Sequence, residues 1–188
     1  MINEARTDAE RQEVLDLFLD VFNDIDPTAV PMTAMDEIYA PIVACYRKGG
    51  RLVGAALTCR AQVAVGSLTA AKLGMAWPGG NDFTSVKDRH SQLDLIAVLP
   101  EARGSGVGAE LIAYLEEELR ARGVRVWFGV ATADLDLDRL RQFYSSHGFI
   151  TLEPGSPLPK LLGKQWQPAV DPSVGFSFYK QLTMRPGS

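Results

Sequence analysis

Cysteine, positive charge and long apolar runs are all scarce in this 188-residue sequence, and each shortage excludes a class of protein. Two cysteines, Cys45 and Cys59, cannot build the disulfide frame on which small secreted domains depend. Gly49-Gly50 between two strand-like runs predicts a tight hairpin in which Lys48 faces Arg51 and Cys45 faces Gly54. Cys59 then lies about 17 Å further along, at about 3.4 Å per residue. A disulfide needs Cα atoms within roughly 7 Å, so both thiols are expected to be small buried hydrophobes in a reducing compartment. With 19 Lys and Arg against 23 Asp and Glu, the net charge is −4. That balance offers no excess positive charge to neutralise a phosphate backbone, and nucleic acid is excluded as a main partner. The first eight residues are polar and nowhere do about 18 uncharged apolar residues follow one another, so neither a signal peptide nor a membrane span is expected. A cytoplasmic location follows.

What is present is an ordinary globular composition, 46% hydrophobic, 22% charged and 9% aromatic. At this length a chain buries roughly 70% of the surface it exposes when unfolded, so a full core needs neither metal nor disulfide staples. One domain over 1–188 is expected. Its elements alternate: a short strand near Met1 to Ala5, a helix from Asp8 to Phe22 capped by Thr7, a short helix around Thr33 to Tyr39, and the hairpin Ile42 to Tyr46 with Leu52 to Thr58. The stretch 60–90 is irregular, broken by Gly66, Gly74 and the cluster Trp77, Pro78, Gly79, Gly80, Asn81, Asp82, and reads as a long loop or strand insertion. Leu93, Leu95, Ile96, Ala97, Val98 and Leu99 form a nearly continuous apolar run, as expected of a central strand covered on both faces, and Pro100 stops it. A helix from Val107 to Arg122 follows, then a strand Val124 to Val130, a helix Leu137 to Ser146, a strand from Gly148 through Leu152, a proline-rich loop, and a last strand Gly175 to Leu182. The C-terminal loop and strand span 153–182. The class is α/β in the α+β sense, with a mixed sheet.

Chemistry concentrates in Arg103, Gly104, Ser105, Gly106, Val107 and Gly108, between the apolar strand and the amphipathic helix. A glycine-rich strand-to-helix turn offers several backbone N–H groups at the positive end of a helix dipole, which is what a phosphate requires. Gly104, Gly106 and Ala109 satisfy a loose dinucleotide pattern, the basis for a nucleotide-dependent oxidoreductase. That pattern belongs directly after a first strand, whereas three strand-like runs, a proline and Arg103 precede this turn. No Gly-Lys-Ser/Thr triplet follows, so a P-loop is excluded.

The run Val98-Leu99-Pro100-Glu101-Ala102-Arg103-Gly104-Ser105-Gly106-Val107-Gly108 resembles the V-x-P-x-x-R-G-x-G-x-G signature of the GNAT superfamily, the acyl-CoA-dependent N-acyltransferases. Phe143-Tyr144-Ser145-Ser146-His147-Gly148-Phe149 resembles the second signature of that family, F-Y-x-x-x-G-F. The resemblance extends to the order of elements over essentially the whole chain. It implies a mixed, mostly antiparallel sheet of about six to seven strands flanked by about four helices. It also implies that the N–H groups of Ser105 to Gly108, with Arg103 and Gly104 beside them, hold the CoA pyrophosphate, and that the backbone of Ile96, Ala97 and Val98 pairs with the pantetheine arm. Acetyl-CoA is the expected co-substrate, with no metal. Leu137 and Leu140 stand where many members have Asn and Ala, a departure that bears on a side-chain hydrogen bond from that helix to the cofactor.

Direct transfer requires a neutral amine, and an amine of pKa about 10.4 at pH 7 lies about 3.4 units from neutrality, roughly 4.6 kcal/mol. A base or water relay is therefore needed. The departing thiolate gains from a proton, which a phenol can supply at short range. Tyr144 stands where the family keeps its general acid. For the base, Gln92, Asp94, Ile96 and Val98 share one face of the central strand, and of these Asp94 can take a proton. His90, just before the strand, is a second candidate, and His147 is expected to be structural. Asp36, Glu37 and Asp82 are candidate ammonium receivers, while Trp77, Trp166 and Phe176 are candidate pocket walls or core. The expectation is an N-acetyltransferase acting on a small-molecule or peptide primary amine through a ternary complex, as a monomer or homodimer. The alternative in a different class is a non-catalytic acyl-CoA-binding regulator.

Overall fold

The computed structural model describes residues 1–77, 82–132, 136–166 and 175–183. Its strands are β1 (Ile2–Glu4), β2 (Ile42–Lys48), β3 (Arg51–Cys59), β4 (His90–Val98), β5 (Val126–Thr132), β6 (Ile150–Thr151) and β7 (Gly175–Gln181). The helices are α1 (Asp8–Val21), α2 (Asp36–Tyr39), α3 (Gln62–Lys72), α4 (Val107–Ala121) and α5 (Leu137–Ser146). The strands form a mixed, mostly antiparallel sheet in the order β1-β2-β3-β4-β5-β7-β6. The chain divides into two compact units, one of Met1–Cys59 and Leu93–Leu119, the other of Arg60–Gln92 and Arg120–Ser188.

In the first unit, α1 starts where its sequence says it should. The Glu10 N–H donates to the Thr7 hydroxyl at 3.3 Å and the Thr7 N–H donates to the Glu10 carboxylate at 3.0 Å, a reciprocal cap that satisfies two otherwise orphaned donors. Val14, Leu15, Leu17 and Phe18 enter a core with Val43 and Cys45 of β2, Ala55 and Leu57 of β3, and Ala97 of β4. Leu19, on the outer side of the same helix, is 41% exposed.

Two expectations are corrected. The hairpin pairs Lys48 with Arg51 and Arg47 with Leu52, but a bulge between Tyr46 and Arg47 then sets Tyr46 opposite Gly54 and Cys45 opposite Ala55. A bulge places two residues against one, so every pair beyond it moves by one position. The stretch 60–90 is not simply a loop or strand extension, because α3 occupies 62–72. Gly66 reads as a helix breaker, yet it sits inside α3 because a Cβ there would stand 2.3 Å from the Trp77 ring. Packing overrides propensity at that point. Pro78 to Asn81, from the loop cluster singled out by sequence, lie outside the described residues.

In the second unit, β7 runs antiparallel to β5, with Phe128 opposite Tyr179 and Val130 opposite Ser177, and to β6, with Ile150 opposite Tyr179. One core joins Ala61 and Ala64 to Phe83, Val86, Val126, Phe128, Leu158, Leu161 and Trp166. Trp166 reaches fully inside because its indole N–H donates to the Leu161 carbonyl at 2.8 Å, satisfying the one polar atom it carries.

Candidate active site

The glycine turn belongs to the first unit. Pro100–Ala102 form a single 3-10 turn, with the Ala102 N–H bonded to Leu99 and the Arg103 N–H to Pro100. Gly104 and Gly106 then take φ of +76° and +88°, the left-handed region that side chains resist. A Cβ on either would meet nothing within 4 Å, so the glycines leave open space as well as permitting the curve. Between them the Ser105 hydroxyl donates to the Ala102 carbonyl at 2.6 Å and closes the turn. The first helical bond of α4 runs from the Glu110 N–H to the Gly106 carbonyl, so the N–H groups of Val107, Gly108 and Ala109 precede any intrahelical acceptor. Those donors, at the positive end of a 15-residue helix, suit an anion. Arg103 is exposed, and its Nε donates to the Val98 carbonyl at 3.0 Å, which ties the turn to the end of β4.

Gly54 of β3 fixes where that helix begins. A Cβ at Gly54 would lie 2.8 Å from the Val107 side chain and 3.2 Å from the Ala97 carbonyl, so only glycine lets buried Val107 seat the first turn of α4 against the strands. The sequence signal was an isolated glycine inside a strand, a mark of close approach that the hairpin reading passes over.

On β4, Ala97 is buried while Ile96 and Val98 are half-buried, and Asp94 is exposed. Burial, and then the nearby Asp94 carboxylate, push the thiol of Cys59, the last residue of β3, well above its ordinary range. Neither cysteine is in a disulfide. Of the candidate ammonium receivers, Asp36 is already matched by a cation. Arg11, 3% exposed, reaches it from α1 with Nη1 at 2.5 Å and Nη2 at 3.1 Å while also donating to the Pro31 and Ala5 carbonyls. Arg11 was missed in the sequence because an arginine on a helix usually faces water. Glu37 is exposed on α2.

Tyr144, His90 and Asp82 belong to the second unit. Tyr144 on α5 is 5% exposed, stacked on Phe178 at 3.8 Å and edge-on to Phe149 at 5.7 Å. Burial pushes its phenol well above the ordinary range, so the hydroxyl keeps its proton. His90 is occupied at both nitrogens: Nδ1 pairs with the Val86 carbonyl at 2.9 Å and Nε2 accepts the Ala61 N–H at 3.1 Å. That arrangement fixes a neutral ring, packed 4.2 Å from Trp166, with no lone pair left for a substrate. His90 is a structural residue and not a base. The Asp82 carboxylate accepts from the Thr84 N–H and hydroxyl, a local turn that holds its carboxyl below the usual range. Trp166 and Phe176 are core, Trp77 covers Gly66, and His147 pairs with the Phe143 carbonyl, which fits a structural role.

Among the described residues no group of three or more His, Cys, Asp or Glu is placed to hold a metal, and no helix is long and apolar enough to cross a membrane. Residues 8–149 match the family model described as the acetyltransferase (GNAT) family. The chain is similar in fold to a ribosomal-protein-alanine N-acetyltransferase from Brucella melitensis, at 19% identity over 97% of this chain and 99% of that one, TM-score 0.64. It is also similar to Ard1 from Thermoplasma volcanium, at 15% identity over 97% of both chains, TM-score 0.63. An aminoglycoside 6'-N-acetyltransferase solved with coenzyme A aligns at 14% identity over 99% of both chains, TM-score 0.59. No curated protein matches the sequence.

Proposed function

Since the chain belongs to the GNAT acetyltransferase family, whose members transfer acyl groups from acyl-CoA, we propose that it moves an acetyl group from acetyl-CoA directly to a primary amine, as a single acyltransferase domain in the cytoplasm. The observation that carries this reading is the turn Arg103 to Gly108. Two left-handed glycines leave open space at the turn, and the first N–H groups of α4 have no intrahelical acceptor beside it. These residues fit a pyrophosphate: Ser105, Gly106, Val107 and Gly108 would hold it by their N–H groups, with Gly104 giving clearance and Arg103 adding charge. The backbone of Ile96, Ala97 and Val98 would pair with the pantetheine arm as a further strand.

When bound, acetyl-CoA supplies the activated thioester. Asp94 takes the proton that the amine must shed, directly or through water, as the new C–N bond forms. Tyr144 gives its hydroxyl proton to the sulfur as the C–S bond breaks, and the phenolate then recovers a proton from solvent. Burial keeps the phenol protonated, so its hydroxyl can donate a hydrogen bond to the developing thiolate, and the same burial makes it a weaker acid than a free phenol. The acceptor is a small-molecule or peptide primary amine. A melting scan tests the cofactor half of the proposal. Acetyl-CoA at 100 times its Kd is expected to stabilise the fold by about 2.7 kcal/mol, and NAD(H) or NADP(H) to do nothing. No shift with acetyl-CoA or CoA overturns the reading.

A further inference from the structure

The turn proposed to hold the cofactor stands in the acidic part of the chain. The unit of Met1–Cys59 and Leu93–Leu119 carries 6 Lys and Arg against 16 Asp and Glu, a net of −10 within a total of −4. Two of those carboxylates flank the turn in sequence. Glu101, just before it, is matched by Arg51 of β3 at 3.0 Å, so its charge is compensated. Glu110, just after it, lies in the first turn of α4, is exposed, and accepts from the hydroxyl of Tyr46 of β2 at 3.4 Å. A phenol brings no charge to set against it. Side chains in a helix lean toward its N-terminus, so this carboxylate leans toward the N–H groups of Val107, Gly108 and Ala109, and the helix dipole draws it there.

Tyr46 is placed to hold it back. It stands opposite Gly54 in the β2–β3 hairpin, and Gly54 is where α4 presses on the strands, since an added Cβ would lie 2.8 Å from Val107 and 3.4 Å from Leu111. We propose that Tyr46 is a positioning residue for cofactor binding: its hydroxyl ties Glu110 to β2 and keeps that carboxylate from lying over the N–H donors that the pyrophosphate would take. The inference rests on the reading of Arg103 to Gly108 as the pyrophosphate turn. The charge of Glu110 opposes the phosphates in any position, and most of all over the donors, which is the position Tyr46 denies it. No proton moves and no covalent bond changes.

Calorimetric Kd values for CoA in the native protein, Tyr46→Phe, Glu110→Gln and the double variant test this as a cycle. Glu110→Gln removes the opposing charge and is expected to tighten CoA by about 3-fold. Tyr46→Phe keeps the ring and loses the tether, a long hydrogen bond, and is expected to weaken CoA by about 2- to 3-fold. In the Glu110→Gln background the same change is expected to alter Kd by less than about 1.3-fold, because the amide has no charge to release. Equal weakening in both backgrounds shows that Tyr46 acts by packing and overturns the proposal, as does no weakening in either. Unchanged or weaker binding in Glu110→Gln overturns the role given to its charge, and with it the role of Tyr46. A native protein that does not bind CoA at all overturns the turn itself as the cofactor site, and that result is read before any variant is made.

Discussion

Burial against Phe178 and Phe149 keeps the Tyr144 hydroxyl protonated, so what it offers a departing thiolate in the proposed mechanism is chiefly a hydrogen bond. Replacing it with phenylalanine preserves those ring contacts while removing the proton. Tyr144→Phe is therefore expected to leave the melting temperature and acetyl-CoA binding nearly unchanged, and to lower kcat by about 10²-fold or more where chemistry limits turnover. Full activity in that variant would remove Tyr144 from the acid role. The bend at the glycine turn was legible in the sequence because it sits in a short local pattern, and Tyr144 was singled out by such a pattern too. The partners that decide other residues were not. Arg11 meets Asp36 across 25 positions and His90 meets Ala61 across 29, and no local pattern marks such pairs. Hence His90 and Asp36 read as available groups in the sequence, although folding engages both.

Between elements, His90 works as a staple. Its Nε2 accepts the N–H of Ala61, the cap residue of α3, while Nδ1 holds the Val86 carbonyl just before β4. Burial pushes the imidazole down from an ordinary 6.5 to about 4. The unfolded chain takes its proton near 6.5 and the folded chain only near 4, so the stability this ring contributes is complete above about 6.5 and falls away as pH drops through that interval. The loss amounts to roughly 3 kcal/mol at about 1.4 kcal/mol per unit. His90→Gln cannot titrate, so chemical denaturation at pH 7 and pH 4 should show a drop in stability smaller by about that amount than in the native protein. An equal drop in both would mean that the ring is not held neutral in the fold. Elements themselves were largely legible: α1, α4 and α5 follow their apolar stripes and caps to within a residue or two. The exceptions were made by packing. Gly66 accommodates Trp77 inside α3, and the bulge beside Tyr46 shifts a register that Gly49-Gly50 alone predicts correctly only at the turn.

At the level of the whole molecule, a GNAT architecture persists in structures only 14 to 19% identical to this chain. That persistence is understandable if a sheet with a helix N-terminus over a glycine turn is what the cofactor demands, because the rest of the surface is then open to change. The overall charge of −4 does not oppose this, since the turn offers backbone dipoles and Arg103 locally. Acid groups elsewhere are spent on a cap, an ion pair and a local turn, as Glu10, Asp36 and Asp82 show. The most direct measurement of the central claim is to mix the protein with acetyl-CoA and a panel of primary amines, then follow CoA thiol and acetylated amine together. Equal amounts of both, appearing only when protein and an accepted amine are present, are the predicted result. Acetyl-CoA bound without thiol release on any amine would contradict it and leave a binding protein, not an acetyltransferase.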